Sequence, residues 1–107
     1  MTRGEIWTYR FKAPDKQRPV LILTRPEMIS VLNTVTVAAL TRTIRGVASE
    51  VVVGEECGLK ERSAINLHHL FTIPQSGIHR FVGSVSEPTM RAVQRALLHA
   101  LAFEYGG

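Results

Sequence analysis

The pair Arg18-Pro19 joins a charged stretch to the apolar run Val20–Leu23. Proline lacks a backbone N–H and is placed at the start or the edge of a strand. The residue before a proline is held in an extended conformation, so the direction in which Arg18 leaves the backbone is restricted. A guanidinium presented in this way is a permanently charged fork of donors that suits a phosphate. The alternative is a surface arginine paired with Asp15 or Glu5.

A second candidate lies where the β-branched run Thr34–Leu40 ends in Thr41, Arg42 and Thr43. If the strand continued through all three residues, the two threonines would point to one side and Arg42 to the other. A hydroxyl beside a rigid arginine can hold a phosphate oxygen. Threonines are also common in strands without any such role.

The histidines suggest acid–base chemistry, because imidazole titrates near neutral pH. His68 and His69 are adjacent, so in a regular strand one of them at most reaches a common site. We expect a contact with substrate from His69 in preference to catalysis. The four histidines and Cys57 show no usual metal-ligand spacing, and the chain has neither a phosphate-binding glycine loop nor a recognisable Ser or Cys nucleophile motif. We therefore expect no metal and no cofactor.

These residues are embedded in a pattern of short β-rich runs separated by turn signals, with little room for helices between them. The runs are 5–11, 19–23, 33–40, 49–53, 63–67 and 79–85. Such spacing predicts a single, mainly β domain over residues 1–107, a small barrel or sandwich of mostly antiparallel strands.

Two helices are predicted beside the strands. The last segment follows helical spacing from an N-cap at Ser86 to an end near Tyr105, which predicts a C-terminal amphipathic helix covering the barrel. A shorter helix is predicted to open at Pro26.

The charge distribution favours a polyanionic partner. The 107 residues carry a net charge of +4, and residues 1–45 hold eight Lys and Arg against three Asp and Glu. A basic half of this kind is typical of nucleic-acid binding, although it also serves solubility. A single cysteine excludes an internal disulfide, and no apolar run reaches membrane-spanning length, so we expect a cytoplasmic protein that does not enter a membrane.

Five fragments occur in an order that resembles the MazF/PemK family of toxin endoribonucleases: RGEIW at 3–7, RPVLIL at 18–23, VTVAALT at 35–41, GLKERSAI at 58–65 and LFTI at 70–73. The resemblance covers about residues 3–103. It implies an SH3-like barrel, a homodimer, and cleavage of single-stranded RNA at a short preferred sequence without a metal ion. The implied partner is a cognate antitoxin whose flexible acidic segment occupies the RNA groove.

The resemblance also implies roles for single residues. Arg18 falls on the family's catalytic arginine and Thr41 on its catalytic threonine or serine. Lys16, Gln17, Arg42, Thr43 and His69 are expected to contact RNA. The loop between the first two strands, KAPDKQ, is shorter than is usual in the family, so the recognised RNA sequence is not predictable from it.

Two other functions remain open at the level of sequence. A related toxin on the same fold could bind a protein such as DNA gyrase without catalysis, but those relatives depend on a special C-terminal tripeptide, and this chain ends FEYGG. A plain RNA-binding module without turnover is the other alternative.

Overall fold

Six antiparallel strands make up one sheet in the computed structural model of the protein, which describes residues 1–11 and 17–103. The order across the sheet is β4-β5-β3-β2-β1-β6. The strands are β1 (Glu5–Arg10), β2 (Gln17–Ile22), β3 (Thr34–Thr41), β4 (Glu50–Val53), β5 (Ser63–Pro74) and β6 (Ile78–Ser84). All six predicted runs are strands, and the fifth extends further than predicted, to Pro74, because β3 pairs with it over almost its whole length.

The continuous apolar run in β2 reflects burial on both faces of the sheet. Leu21 belongs to a cluster that includes Ile6, Ile65 and Leu67, whereas Val20 and Ile22 belong to a second cluster on the opposite face. All three β2 residues are fully buried. A strand that is buried on both faces has a continuous run of apolar residues instead of alternating apolar and polar ones, which explains the run in β2.

Helix α2 (Glu87–Leu101) covers the first cluster through Val93 and Ala96. Its predicted N-cap is confirmed, because the Ser86 hydroxyl accepts a hydrogen bond from the Thr89 N–H at 3.3 Å. The predicted end of this helix near Tyr105 is wrong, because the helix ends at Leu101.

Helix α2 stops earlier because Ala102 adopts a left-handed conformation (φ 58°) and the Phe103 N–H donates to the Leu98 carbonyl at 3.0 Å. These two features form a Schellman-type C-cap, which ends a helix and satisfies its last carbonyls. The predicted short helix is confirmed as α1 (Pro26–Ile29). No described helix combines the length and the apolar character needed to cross a bilayer.

The sheet curves into a small barrel-like fold whose edges meet without strand pairing. After β4, a 3₁₀ turn (Glu55–Cys57) brings Gly58 against β6. A Cβ atom on Gly83 would lie 2.0 Å from the Cys57 carbonyl oxygen, and one on Gly58 would lie 2.3 Å from the Val82 carbonyl oxygen. The two backbones are therefore in direct contact, and glycine is required on both sides. The predicted mainly β, barrel-like class is confirmed, as a sheet that hydrogen bonds do not close among the described residues.

We expect Gly83→Ala to destabilise the fold by at least about 2 kcal/mol, because the added methyl group overpacks a contact made of backbone. Gly46→Ala is the control: its Cβ meets nothing within 4 Å, so that variant carries only the strain of a positive φ of 73°, about 1 kcal/mol. Urea unfolding followed by circular dichroism measures both changes. Equal losses in the two variants would contradict the contact.

The cysteine thiol is expected to be inert in the folded protein. Cys57 is 3 % exposed, its thiol donates to the Gly54 carbonyl at 3.3 Å, and burial together with the nearby Glu56 carboxylate raises its pKa above the ordinary 9.0. The unfolded thiol ionises at a lower pH than the folded one, so the contribution of the buried neutral thiol to folding stability is complete below pH 9.0. That contribution is lost as the pH rises above this value and through the raised pKa of the folded state. Iodoacetamide at pH 8 should label the urea-unfolded chain and spare the folded one, as read by mass spectrometry; labelling of both at similar rates would refute this.

Candidate active site

The pairing of β2 with β3 brings Arg18 and Thr41 to neighbouring strand ends. Val20 pairs with Ala39, Leu21 with Ala38 and Ile22 with Val37. The pairing ends at Val20 and Ala39; Arg18 and Thr41 lie two residues beyond it and line the same cavity. Because side chains alternate between the faces of a strand, Arg18 and Thr41 lie on the same face of the sheet as Val20 and Ala39.

A cavity of about 360 Å³ opens at these strand ends. Five of the seven predicted site residues line it: Gln17, Arg18, Thr41, Arg42 and Thr43. The other described side chains around it are Pro19, Leu40, Leu59, Lys60, Glu61 and Ser63. We call this space the strand-end cavity. Five of the residues predicted from the sequence are therefore brought together at one cavity.

Arg18 is exposed at the mouth of a buried strand. Its neighbour Pro19 is half-buried beside Thr8 of β1, and Val20 behind it is fully buried. Glu5, one of the two alternative ion-pair partners of Arg18, instead accepts a hydrogen bond from the Trp7 indole N–H at 3.1 Å and lies 3.9 Å from the N-terminal ammonium. Asp15, the other, lies outside the described residues. The backbone of Arg18 is thus anchored in β2, and the exposed residue lines the cavity.

The Thr41 hydroxyl is oriented by a turn. Its Oγ1 accepts a hydrogen bond from the Thr43 N–H at 3.1 Å. A hydroxyl that accepts in this way retains its own proton for donation. Thr41 can therefore donate to an oxygen in the cavity beside Arg18.

The predicted alternation of Thr41, Arg42 and Thr43 is wrong beyond Thr41. Strand β3 ends at Thr41, and the chain bends at Arg42, so all three residues line the cavity. Side-chain alternation holds only while the backbone stays extended and paired.

Arg42 is bound to a residue that sequence reasoning missed. Its Nη1 forms an ion pair with Oε2 of Glu61, and the two side chains are 76 % and 59 % exposed. An exposed pair of this kind contributes little to stability, about 0–1 kcal/mol. It does, however, place a negative charge at a cavity whose other charged lining residues are Arg18, Arg42 and Lys60.

Lys60 and Glu61 lie in the fragment GLKERSAI, and the sequence did not predict them as site residues. They precede β5 in sequence. They reach the cavity because the Gly58–Gly83 contact fixes the start of the segment that carries them. The signal in the sequence was a cluster of three charges, KER, directly before a strand.

His69 does not line the strand-end cavity. It lies in a bulge of β5, where Leu67, His68 and His69 fall between the partners of Ala38 and Ala39. Its Nδ1 lies 3.4 Å from Nδ2 of buried Asn66. Asn66 opposes Ala39 on the face that carries Thr41, as a diagonal neighbour at about 7–8 Å.

Two further features bear on the predicted site. The His68 Nδ1 is hydrogen-bonded to the Ser49 hydroxyl, and Lys16 lies outside the described residues. In residues 1–11 and 17–103, no three His, Cys, Asp or Glu side chains gather as metal ligands. The donors of the strand-end cavity are cationic and hydroxylic, which suits an anionic phosphate.

Comparison with known proteins gives one family. Residues 2–101 match the family described as PemK-like, MazF-like toxin of type II toxin-antitoxin system. The endoribonuclease MazF3 of Mycobacterium tuberculosis is 37 % identical over 91 residues, covering 85 % of this chain and 88 % of the relative. The probable endoribonuclease MazF2 of the same organism is 36 % identical over 88 residues, covering 80 % of this chain and 83 % of the relative.

Solved structures agree. The toxin MazF-mt6 of M. tuberculosis superposes with a TM-score of 0.88 at 34 % identity, covering 94 % of this chain and 99 % of that one. An endoribonuclease from a mycobacterial species, solved in complex with its cognate antitoxin, has a TM-score of 0.84 at 24 % identity, covering 98 % of both chains. At that identity the second likeness supports the fold alone.

We expect Glu61→Gln to strengthen binding of a polyanion, because it frees Arg42 and removes the one carboxylate among the described cavity residues. Affinity for a 2′-O-methyl oligoribonucleotide should rise by about two- to fivefold at 50 mM salt, as expected for one exposed charge. The salt slope should steepen by about 0.7, the value for one more phosphate contact on a single strand. Fluorescence anisotropy measures both quantities.

Glu27→Gln is the matched control. Glu27 forms a similarly exposed ion pair with Arg25 at 3.7 Å, away from the cavity. Equal gains in the two variants would show that net charge, and not release of Arg42, sets the affinity.

Proposed function

This chain belongs to the PemK-like, MazF-like family of type II toxins, and we propose on that premise that it is a sequence-selective endoribonuclease of single-stranded RNA. The reaction needs no metal ion and takes place in the cytoplasm. The observation that carries the proposal is that Arg18 and Thr41 line one cavity, at neighbouring ends of β2 and β3. Family membership supplies the reaction class, and the cavity supplies the groups.

RNA carries its own nucleophile. The 2′-oxygen attacks the adjacent phosphorus and loses its proton, and the bond from phosphorus to the 5′-oxygen breaks as that oxygen takes up a proton. The products are a 2′,3′-cyclic phosphate and a free 5′-hydroxyl. The enzyme must orient the nucleophile and stabilise the negative charge that builds on the nonbridging oxygens.

Arg18 supplies that stabilisation. Its guanidinium is aimed by Pro19 and the buried strand behind it, so little reorganisation is needed as the charge develops. A preorganised donor of this kind contributes about 3 kcal/mol to the transition state. With a pKa above about 12, arginine stays protonated, so its role is electrostatic rather than proton transfer.

Thr41 supports the same phosphate. Its hydroxyl oxygen accepts a hydrogen bond from the Thr43 N–H. The hydroxyl in turn donates a hydrogen bond to a nonbridging oxygen of the phosphate. This short neutral donor fixes the phosphate against the Arg18 fork, which makes the two residues one functional unit.

The predicted contacts to RNA surround this pair. Gln17, Arg42 and Thr43 line the cavity and would hold the backbone on either side of the cleaved phosphate. Lys16 precedes them in sequence. His69 would contact RNA from the β5 bulge, with Asn66 between it and the cavity.

The protein partners follow from the same electrostatics. An antitoxin with a flexible acidic segment would place carboxylates on Arg18 and Arg42, in competition with RNA and with Glu61. We extend to this chain the homodimer that its family implies. The gyrase-type alternative is disfavoured, because a binder of protein would not need Arg18 and Thr41 together at a polar cavity.

We expect Arg18→Ala and Thr41→Ala each to lower RNA cleavage at least about a hundredfold, the usual cost of one charge-stabilising donor. Long single-stranded RNA is incubated with the protein in EDTA, and the 5′ ends of the products are mapped. Wild type should cut at a repeated short motif. Thr41→Ser should retain most of the activity, because it keeps the hydroxyl.

Arg95→Ala is the control, as an exposed arginine on α2 away from the cavity. Intact RNA with the wild-type protein, together with growth arrest that persists in Arg18→Ala, would contradict the proposal and favour a protein target.

A further inference from the structure

A second cavity, of about 370 Å³, adjoins the strand-end cavity. The two share Pro19, Leu59 and Lys60. On its far side the second cavity is lined by Thr8, Arg80 and Phe81. We call it the flanking cavity. The shared residues make the two cavities neighbours along one surface, so a ligand in one can continue into the other.

The charged groups of the flanking cavity have one sign. Lys60 and Arg80 line it, and no carboxylate does among the described residues. The backbone of Arg80 is fixed, because its N–H donates to the Thr8 hydroxyl oxygen at 3.1 Å. As with Thr41, the Thr8 hydroxyl keeps its own proton for donation. Two cations and a hydroxyl donor suit a phosphodiester, whereas an acidic cavity would not.

Phe81 gives this cavity an aromatic surface. It is 51 % exposed, which is high for a side chain of its size. Trp7 contacts it edge-on, with ring centroids 5.5 Å apart and planes at 72°, and the Trp7 indole is itself bonded to Glu5. Phe81 is thus supported by packing yet open to solvent. Aromatic rings of this kind stack with nucleobases of any sequence.

We propose that the flanking cavity binds a nucleotide of the RNA next to the cleaved one, with its base stacked on Phe81 and its phosphates contacted by Arg80 and Lys60. This inference rests on the proposed function. Lys60 lies in both cavities, so it would contact the phosphate that connects the two nucleotides. The exposed ring of Phe81 beside two cations, and the continuity with the strand-end cavity, favour RNA as the occupant.

The test compares substrates of two lengths. Cleavage mapping first gives the shortest oligoribonucleotide that the wild-type protein cuts. That substrate and versions extended by three nucleotides on the 5′ or the 3′ side are then compared by kcat/KM. One of the two extensions, the one that reaches the flanking cavity, should raise the wild-type kcat/KM by about tenfold, as expected for one stacked base. Phe81→Ala and Phe81→Leu should lose this gain and still cut the short substrate at the wild-type rate.

Arg80→Ala should lose part of the gain and reduce its dependence on salt. The matched controls are Phe103→Ala, which removes a ring that is 66 % exposed at the end of α2, and Arg95→Ala. Both should retain the full gain. Phe81→Leu guards against misfolding, because it keeps an apolar side chain against Trp7.

The outcomes separate the two proposals. If wild type cuts no RNA, the proposed function fails. If wild type cuts RNA but the Phe81 variants gain from each extension as wild type does, or no extension gives a gain, the flanking site is refuted. If Phe81→Leu instead changes the molecular mass in solution, measured by light scattering, Phe81 belongs to a protein interface and the inference is overturned.

Discussion

The antiparallel pairing of β2 with β3 is the constraint on which the site depends. Because β2 is buried on both faces, with Leu21 in one cluster and Val20 and Ile22 in the other, its register cannot shift without exposing apolar surface. A slip by one residue would send every β2 side chain to the opposite face. Arg18 would then leave the face of the sheet that it shares with Thr41. The same burial that stabilises the barrel therefore aligns the two polar residues that carry the proposed chemistry.

A second constraint brings the remaining charges to this pair. The backbone contact between Gly58 and Gly83 joins the two ends of an open sheet and fixes the start of the segment that carries Lys60 and Glu61. These residues are distant in sequence from Arg18, yet they complete its cavity. The ion pair between Arg42 and Glu61 leaves the cavity less positive than its arginines alone would make it. Binding of an anion must therefore compete with an internal carboxylate, and an acidic protein segment would face the same competition.

The strands, the two helices and the position of Arg18 and Thr41 at strand ends could be predicted from sequence because each has a local cause. The apolar run after Pro19 identifies a strand, Ser86 identifies a helix start, and the strand end at Thr41 identifies a place for a polar group. The family resemblance then related Arg18 to Thr41. The contributions of Lys60 and Glu61 could not be predicted, because they depend on a long-range contact between two glycine-containing segments. The bulge that displaces His69 from the cavity and the early end of α2 at Leu101 depend equally on backbone geometry that residue types do not specify.

A double-mutant cycle on Arg18 and Thr41 tests the central claim most directly, because two residues that act on one phosphate should not contribute independently. Single-turnover cleavage of one mapped oligoribonucleotide in EDTA is measured for wild type, Arg18→Ala, Thr41→Ala and the double variant. We predict that the double variant is about as slow as the slower single variant. Losses that multiply in the double variant, or single variants that cleave as fast as wild type, would contradict the account.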